Sequence, residues 1–253
     1  MAEGTTLFDV HCHLHAEELF QELEAVLMKA RAMNVQVIAV SMDLASSRRT
    51  LAITRQNVEV YAAVGLHPWN VESLSQVDAV ATLLHESREE ITAIGEVGLD
   101  HTFVKEPQRW KIQELALEQL TGLAKEFNLP LITHGKGFET GLVEFLIDHD
   151  AEDVVLHWFV GSEKAVKRAL EAGYYFSITP AVLFQAKLRK VVELVPLDRL
   201  MLESDAPVRY KKLQGTPSVV SFVATEIARI KQVSEEQVAR MTTQTAKQFF
   251  RIS

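Results

Sequence analysis

Histidines and carboxylates recur along this chain directly after short apolar runs. Five of the nine histidines stand at such positions, whereas His85 and His149 fall inside amphipathic runs. Imidazole and carboxylate groups are common ligands of divalent metals such as Zn²⁺ and Mn²⁺, and the chemistry they support is metal-assisted hydrolysis. In chain order, the candidate ligands are His11, His13, His67, Glu96, His134, His157 and Asp205.

The run Asp-Val-His-Cys-His, residues 9–13, places two histidines two residues apart. Because successive side chains of a strand point to opposite faces, His11 and His13 are expected on one face, about 7 Å apart, with Val10 and Cys12 on the other. Two imidazoles so placed can chelate one divalent ion, with their second ring nitrogens held by neighbouring acceptors. Cys12 is then expected to be a buried packing residue.

Two carboxylates complete the candidate set. Glu96 lies in Ile-Gly-Glu-Val-Gly-Leu-Asp, residues 94–100, where the flanking glycines permit close backbone approach. A glutamate ending an apolar strand is costly to bury unpaired, so we favour metal coordination, with Glu96 bridging two ions. Asp205 is assigned to metal binding and proton transfer and Glu203 to a deeper supporting position, although these two roles could be exchanged.

The elements that must position these residues alternate between short β-prone runs and longer amphipathic runs. Helical periodicity is clearest over residues 17–33 and 107–127, and two more helices are predicted at 216–231 and 234–250, the last opened by a Ser-x-x-Gln capping pattern. Eight strands are predicted, at residues 7–11, 35–41, 58–65, 91–97, 129–134, 153–157, 174–178 and 199–204.

Eight strand–helix units with apolar strands indicate a parallel sheet covered by helices. At 253 residues they favour an α/β fold of the closed (β/α)8 type, a TIM barrel. An open doubly wound sheet is the alternative, but it normally carries a glycine-rich phosphate loop where this chain has Cys-His-Leu-His. No composition shift divides the chain, so a single domain is predicted over residues 1–253. Such barrels carry active sites at the carboxyl ends of their strands, where all the candidate ligands fall.

Composition restricts the partners and the compartment. With 26 Lys+Arg against 34 Asp+Glu the net charge is −8, so we expect any nucleic acid to be held mainly at the metal site. The basic runs 187–190 and 209–212 are short, and 187–190 is interpreted as a solvated helix face. No apolar stretch approaches the roughly 18 residues that suggest a membrane span. The single cysteine predicts a cytoplasmic protein. The first ten residues do not show the pattern of a secretory signal, so none is expected. We expect a monomer.

Six segments in chain order resemble the signature segments of the TatD-type metal-dependent deoxyribonucleases, a branch of the amidohydrolase superfamily. The segments are Phe8–Leu14, Val64–Pro68, Ile94–Asp100, Leu129–His134, His157–Gly161 and Leu202–Pro207. The resemblance implies a (β/α)8 barrel that holds two divalent ions. Mixed imidazole and carboxylate ligands suit Zn²⁺ and Mn²⁺ and do not exclude Mg²⁺, so the sequence leaves the metal undecided.

The resemblance also implies a reaction and a set of ligands. The reaction is hydrolysis of phosphodiester bonds in DNA, including 3′–5′ trimming. Two ions roughly 3.5–4 Å apart would lower the pKa of a bridging water enough to supply hydroxide near neutral pH. DNA or another phosphodiester would be held at the metal site. The implied ligands are His11, His13 and Asp205 for one ion, and His134 and His157 for the other, with Glu96 bridging.

Three positions depart from the family pattern and bear on the substrate. Lys136 stands where an arginine is commoner, so phosphate would meet a point charge in place of a planar fork. Trp158 stands where a cysteine is commoner, and residues 242–246 lack the asparagine usual before the last helix. The candidate substrate contacts are His67 and Lys136 for phosphate, and Trp69, Phe138 and Trp158 for stacking on a base.

Other functions stay open from the sequence. A metal-activated water attacks a carbonyl as well, as in an amidohydrolase or esterase, for example a deacylase of aminoacyl-tRNA, and the acidic net charge supports this over a processive nuclease. The polymerase-and-histidinol-phosphatase type also opens with Asp-x-His-x-His, but it assembles three ions. A non-catalytic barrel with a structural metal would have a closed four-ligand site, whereas six candidate ligands indicate open positions.

Overall fold

Eight parallel strands form one sheet in chain order in the computed structural model, which describes residues 6–252. The prediction about a secretory signal and the outer limits of the predicted single domain concern residues 1–5 and 253, outside the described residues. The strands are β1 Leu7–Cys12, β2 Val35–Ala39, β3 Val60–Val64, β4 Ile91–Asp100, β5 Leu131–Lys136, β6 Val154–His157, β7 Tyr175–Ile178 and β8 Leu200–Leu202.

Helices follow the strands and cover the sheet. Within residues 6–252, no helix is both long and apolar enough to cross a membrane. A two-stranded antiparallel hairpin, β9 Arg209–Tyr210 with β10 Leu213–Gln214, follows β8. The helices are α1 Glu17–Phe20, α2 Leu23–Ala32, α3 Leu44–Thr54, α4 Ser75–Glu86, α5 Pro107–Phe127, α6 Glu139–Asp148, α7 Glu163–Glu171, α8 Ala186–Leu194, α9 Val220–Lys231 and α10 Glu235–Phe250.

The first and last strands close the barrel near their carboxyl ends. Cys12 forms an isolated parallel bridge with Ala206, and the His13 N–H donates to the Ala206 carbonyl at 2.8 Å. The Asp205 N–H donates to the His11 carbonyl at 2.9 Å. The predicted (β/α)8 barrel is therefore confirmed, and its closure joins the segments that carry the first and last candidate ligands.

An apolar cluster, the inner core, fills the barrel. Because side chains from every strand reach it, it lies inside the cylinder, while a larger outer core separates the strands from the helices. Burying a large apolar side chain contributes about 1.5–3 kcal/mol. The strand side chains of the inner core include Phe8, Ile38, Ala63, Ala93, Ile132, Val155, Tyr175 and Met201.

Helix α10 closes the amino end of the barrel. Its Phe249 and Phe250 join the inner core, and the Phe249 ring centroid lies 4.9 Å from that of Tyr175. The Thr243 hydroxyl donates to the carbonyl of Thr6, just before β1, at 2.8 Å. The last helix is thus a plug under the strands, and we call Phe8, Phe249 and Phe250 the floor of the barrel.

An irregularity in β1 changes the side-chain faces predicted for its end. The pairing with β2 shifts register between Asp9 and Cys12. Val10 packs in the inner core and Cys12 in the outer core, so the prediction that these two share a face was wrong. A bulge alters the strict alternation of a strand. The irregularity in β1 lets His11 and His13 converge above Val10, with their Nε2 atoms 3.2 Å apart.

Most predicted elements are present, with shifted ends. The helix predicted over residues 107–127 is α5, and α10 begins after Ser234, whose hydroxyl accepts from the Gln237 N–H at 3.1 Å. The single helix predicted over 17–33 is wrong, since α1 ends at Phe20 and α2 starts at Leu23. Ordinary helix-forming residues occupy that break, so the apolar pattern does not mark it.

Candidate metal centre

Four ligand-type atoms from the end of β1 and the residue after it, from β4 and from the segment after β8 form a compact set. The His11 Nε2 atom lies 3.2 Å from Glu96 Oε2 and 3.6 Å from Asp205 Oδ1. The His13 Nε2 atom lies 3.4 Å from each of the same two oxygens. A tetrahedral ion with bonds of about 2.0–2.1 Å separates its ligands by about 3.3–3.4 Å. The spacing of this set therefore fits one divalent ion.

The second oxygen of Glu96 faces a different group of imidazoles. Glu96 Oε1 lies 2.9 Å from His134 Nδ1, 3.4 Å from His67 Nε2 and 3.9 Å from His157 Nε2. His157 Nε2 is also 3.8 Å from Asp205 Oδ2. Glu96 thus stands between two sets of imidazoles. His67, for which the sequence analysis predicted a phosphate contact, lies inside the cluster of ligand-type atoms.

Glu203 holds the ring of His157 from behind. The His157 Nδ1 atom lies 2.9 Å from Glu203 Oε2, and Ser177 donates its hydroxyl to the same oxygen at 2.5 Å. The Trp158 N–H donates to Glu203 Oε1 at 3.0 Å. Both carboxylate oxygens of this fully buried residue are therefore occupied, and His157 is left with Nε2 toward the cluster. A carboxylate behind a histidine in this way fixes ring orientation and raises its basicity.

Asp100 holds His134 in a similar way, and sequence reasoning missed this residue. Asp100 Oδ2 lies 2.9 Å from His134 Nε2 and accepts from the Trp69 indole N–H at 2.7 Å. Its Oδ1 accepts from the N–H groups of Thr102 and Phe103 at 2.8 and 2.7 Å. The signal for Asp100 in the sequence was its position at the end of segment 94–100, one of the six segments that carry the family resemblance.

Glycines let β4 approach both of its neighbours. A Cβ built on Gly65 would lie 2.7 Å from the Glu96 carbonyl oxygen, and one on Gly95 would lie 2.7 Å from the Ile132 Cβ. Gly98 has φ +145°, and a Cβ there would collide with the His134 carbonyl. The close approach expected beside Glu96 is therefore present on the β3 and β5 sides.

Burial opposes ionisation throughout the cluster, and nearby opposite charges outweigh it at Glu96 and His157 but not at His67. Burial raises the pKa of Glu96, but imidazoles led by His67 outweigh it and hold that pKa well below its usual value. Burial lowers the pKa of His67 to about 4. For His157, burial also lowers the pKa, but Glu203 and Asp205 outweigh it and raise the pKa to about 10. A metal at His157 would have to displace that proton.

The donor set suits a divalent cation. The Nδ1 atoms of His11 and His13 are buried and have no hydrogen-bond partner, so both rings find polar partners through Nε2, on the side of Glu96 and Asp205. Imidazole nitrogens combined with carboxylate oxygens match the preferences of Zn²⁺ and Mn²⁺. The residues present therefore fit the metal ions that the sequence resemblance implies.

Two residues at strand ends in the site have a left-handed backbone. Trp158 has φ 40° and Asp205 has φ 47°. For non-glycine residues this costs roughly 1–3 kcal/mol and persists only where surrounding contacts hold it. Here the Trp158 N–H is bound by Glu203, and the Asp205 N–H by the His11 carbonyl. Such strain is concentrated at functional sites.

A cavity of about 440 Å³ opens directly above the cluster. Trp69 and Phe103 form one wall, with ring centroids 5.2 Å apart, and Trp158 contributes to another. Phe138, a predicted stacking residue, packs against His101 and is not among the cavity-lining residues. Phe103, which the sequence analysis did not select, takes part in its place.

The predicted site residues come together at one rim of the barrel. The role of each residue as metal ligand, catalytic group or substrate contact stays a prediction. The ligand-type residues surround Glu96, Lys136 lines the cavity, and Glu203 lies behind His157. The full set is His11, His13, His67, Glu96, His134, Lys136, His157, Glu203 and Asp205.

A parallel (β/α)8 barrel with buried imidazoles and carboxylates at the carboxyl ends of its strands is an arrangement typical of metal-dependent hydrolases. The TatD-related DNase family matches residues 8–251. The chain belongs to this family, as the six-segment resemblance predicted, and it is a TatD-type metal-dependent hydrolase.

Several relatives are similar over nearly their whole length. The chain is 33% identical over 256 residues to YabD of Bacillus subtilis (strain 168), named an uncharacterized metal-dependent hydrolase, with 98% of this chain and 100% of the relative covered. It is 31% identical over 263 residues to the human deoxyribonuclease TATDN3, covering 98% and 96%. The crystal structure of YjjV, a TatD homologue of Escherichia coli, superposes with a TM-score of 0.91 at 26% identity, covering 98% of both chains.

Proposed function

We propose that this chain is a phosphodiesterase that uses two divalent ions and trims single-stranded DNA from its 3′ end. The observation that carries the proposal is the division of Glu96 between two imidazole groups, Oε2 toward His11 and His13 and Oε1 toward His67 and His134. A carboxylate shared in this way is suited to bridging a pair of ions. We assign one ion to His11, His13 and Asp205.

For the second ion we propose His134 and His157, bridged to the first by Glu96. Asp100 and Glu203 would keep these two rings in place. When bound, the two ions would lower the pKa of a water shared between them and neutralise charge on the phosphate oxygens.

Asp205 is proposed to accept the proton of the attacking water. Burial raises the pKa of this carboxyl, but His157 and His13 outweigh that effect and hold the pKa below its usual value. Asp205 is therefore a carboxylate at neutral pH, and it stands 5% exposed at the base of the cavity. A general base has to lie within reach of the proton that it takes.

Lys136 and the aromatic walls are proposed to position the substrate. Lys136 lines the cavity beside the cluster and can contact a phosphate as a point charge. The cavity volume of about 440 Å³ is in the range of small-ligand sites, which suits the end of one strand. The human relative named a deoxyribonuclease supports DNA as the polymer. A cytoplasmic location and a monomeric state remain predictions; the single cysteine, buried and free, supports the first.

The test is a comparison of substrates with matched variants. Wild type, Glu96→Gln and Glu118→Gln are incubated with Mg²⁺, Mn²⁺ or Zn²⁺ and with three substrate classes. The substrates are a 5′-labelled single-stranded oligonucleotide, a small phosphodiester, and a panel of amides and esters that includes an aminoacyl ester. Glu118 is exposed on α5, so its variant controls for the loss of one carboxylate. A chelator control accompanies each reaction.

Metal-dependent shortening of the oligonucleotide by wild type and Glu118→Gln, with loss of at least about 1000-fold in Glu96→Gln, is expected, because water without a metal returns toward its pKa of 15.7. Turnover of carbonyl substrates alone would move the assignment to an amidohydrolase or esterase. Inertness toward all three classes would indicate a metal-binding barrel without catalysis.

A further inference from the structure

Two lysine–aromatic contacts lie on the rim outside the ligand cluster. Lys136, at the end of β5, holds its Nζ atom 4.8 Å from the centroid of the Trp158 ring. Lys211, between β9 and β10, holds its Nζ atom 4.5 Å from the centroid of the Phe184 ring. A cation within about 6 Å of an aromatic face is attracted to the ring. We call Lys136, Trp158, Phe184 and Lys211 the rim strip.

Trp158 connects the two pairs. Its indole N–H donates to Gln185 Oε1 at 3.0 Å, and Gln185 follows Phe184 in the chain. The Trp158 ring centroid lies 5.7 Å from that of Tyr210, which precedes Lys211. Both members of the outer pair are thus chain neighbours of residues that touch Trp158, and the strip continues from the cavity to the outer rim.

The outer pair, Phe184 and Lys211, is exposed, whereas Tyr210 beside Lys211 is buried. The Phe184 side chain is 43% exposed, and Lys211 is also exposed. Tyr210 is only 4% exposed, and its hydroxyl donates to the Ser204 carbonyl at 2.9 Å. The hairpin is therefore anchored to the segment that carries Asp205. Phe184 follows a turn whose residues 180–182 are buried, and its N–H donates to the Ala181 carbonyl at 3.0 Å. Exposed side chains on a fixed backbone lose little freedom when a ligand covers them.

We propose that the rim strip binds the single-stranded polynucleotide next to the cleaved phosphodiester; this rests on the proposed function. Aromatic faces stack on bases and ammonium groups neutralise phosphates, which is the combination that holds single strands without sequence preference. Lys136 and Trp158 line the cavity above the metal centre, so the strand would run from there toward Phe184 and Lys211. In a chain of net charge −8, these lysines supply a local counter-charge.

The choice of a nucleic acid follows from the pairing of each ring with a cation. An apolar peptide would cover the rings but leave both ammonium groups without a counter-charge. A polynucleotide supplies phosphates for the two ammonium groups and bases for the two rings at once.

The test measures binding and cleavage in Phe184→Ala and Lys211→Gln. Both residues are exposed and lie outside the ligand cluster. Binding of a fluorescent 12-nucleotide phosphorothioate strand, which resists cleavage, is followed by anisotropy with Mg²⁺ present, over a range of salt concentrations. Under the same conditions kcat/KM is measured for the unmodified strand and for bis(p-nitrophenyl) phosphate. Matched controls are Phe222→Ala on α9 and Lys29→Gln on α2, both exposed.

We expect each strip variant to bind the strand about tenfold more weakly, with the small diester hydrolysed at the wild-type rate. Lys211→Gln should also reduce the slope of log affinity against log salt by about 0.7, the value for one phosphate contact to a single strand. The control variants should bind as wild type does.

The two proposals fail in different ways. Equal binding by wild type and strip variants, or a parallel loss with the small diester, would overturn the rim strip even if the strand is cleaved. Absence of strand binding by wild type would overturn it as well. Strand binding that depends on Phe184 and Lys211 without hydrolysis of any phosphodiester would support the strip and refute the proposed function.

Discussion

The two ends of this barrel bury side chains of opposite character. At the amino end, the floor of Phe8, Phe249 and Phe250 is apolar and packed under α10. At the carboxyl end, ionisable groups such as Glu96 and Glu203 are buried to a similar degree. Apolar burial stabilises the fold directly, whereas a buried charge costs free energy that its partners have to offset. Of the two ends, the floor therefore contributes more to stability, and the rim carries the buried ionisable groups.

The largest expected effect is at the rim. Asp205→Asn removes both a proposed ligand and the proposed proton acceptor, so kcat should fall by about 1000-fold or more, equivalent to about 4 kcal/mol. Steady-state kinetics with a small phosphodiester measures this loss, and thermal unfolding in chelator measures stability. A kcat within tenfold of wild type would remove Asp205 from the mechanism.

The next effect is at the floor. Phe249 is 6% exposed, and Phe249→Ala should lower the free energy of unfolding by about 3 kcal/mol through lost burial and a cavity. The melting temperature should fall by roughly 10 °C, with kcat unchanged below the transition. Phe222→Ala, at a position 51% exposed, is the control and should melt as wild type does. If Phe249→Ala lost activity while keeping its melting temperature, the separation of the two ends would be wrong.

The smallest expected effect concerns Glu203, which contacts the proposed ligand His157. Glu203→Gln keeps the shape of the side chain but removes the charge behind His157, so metal affinity and kcat should fall by about 10- to 100-fold, or about 1.4–2.7 kcal/mol. Metal titration followed by calorimetry gives the affinity, and Ser177→Ala, which removes only one hydrogen bond to Glu203, should show a smaller change. Unaltered metal affinity in Glu203→Gln would show that His157 does not depend on its carboxylate.

The sequence predicted the rim well because strand ends can be located from apolar runs. His11, His134 and His157 each close such a run, and in a parallel barrel all strand ends of one sense meet at one edge. Helix α5 was predicted to the residue because a proline stands at its first position and the apolar period is unbroken.

The prediction of contacts around individual residues was weaker. The phosphate contact predicted for His67 stays a prediction, and the structure adds a contact that was not predicted, since its Nε2 atom lies 3.4 Å from Glu96 Oε1. Asp100 was overlooked because its place at the end of segment 94–100 does not show what it contacts. Its partners Trp69 and His134 lie 31 and 34 residues away in the chain. The face predicted for Val10 was wrong because the pairing of β1 with β2 shifts register. Such a shift of one residue reverses which side chains point inward, and the apolar pattern of the sequence does not reveal it.

The sequence by itself determined the kind of chemistry, because residue types and their places after strands are local properties. Tertiary structure alone decided which oxygen of Glu96 meets which imidazole, and that Lys136 and Lys211 join one strip through Trp158. The physical reason is that these distances depend on the stagger of strands around a closed barrel and on side-chain rotamers. An error of one residue in register moves a side chain by more than 3 Å, which exceeds the tolerance of a metal–ligand bond.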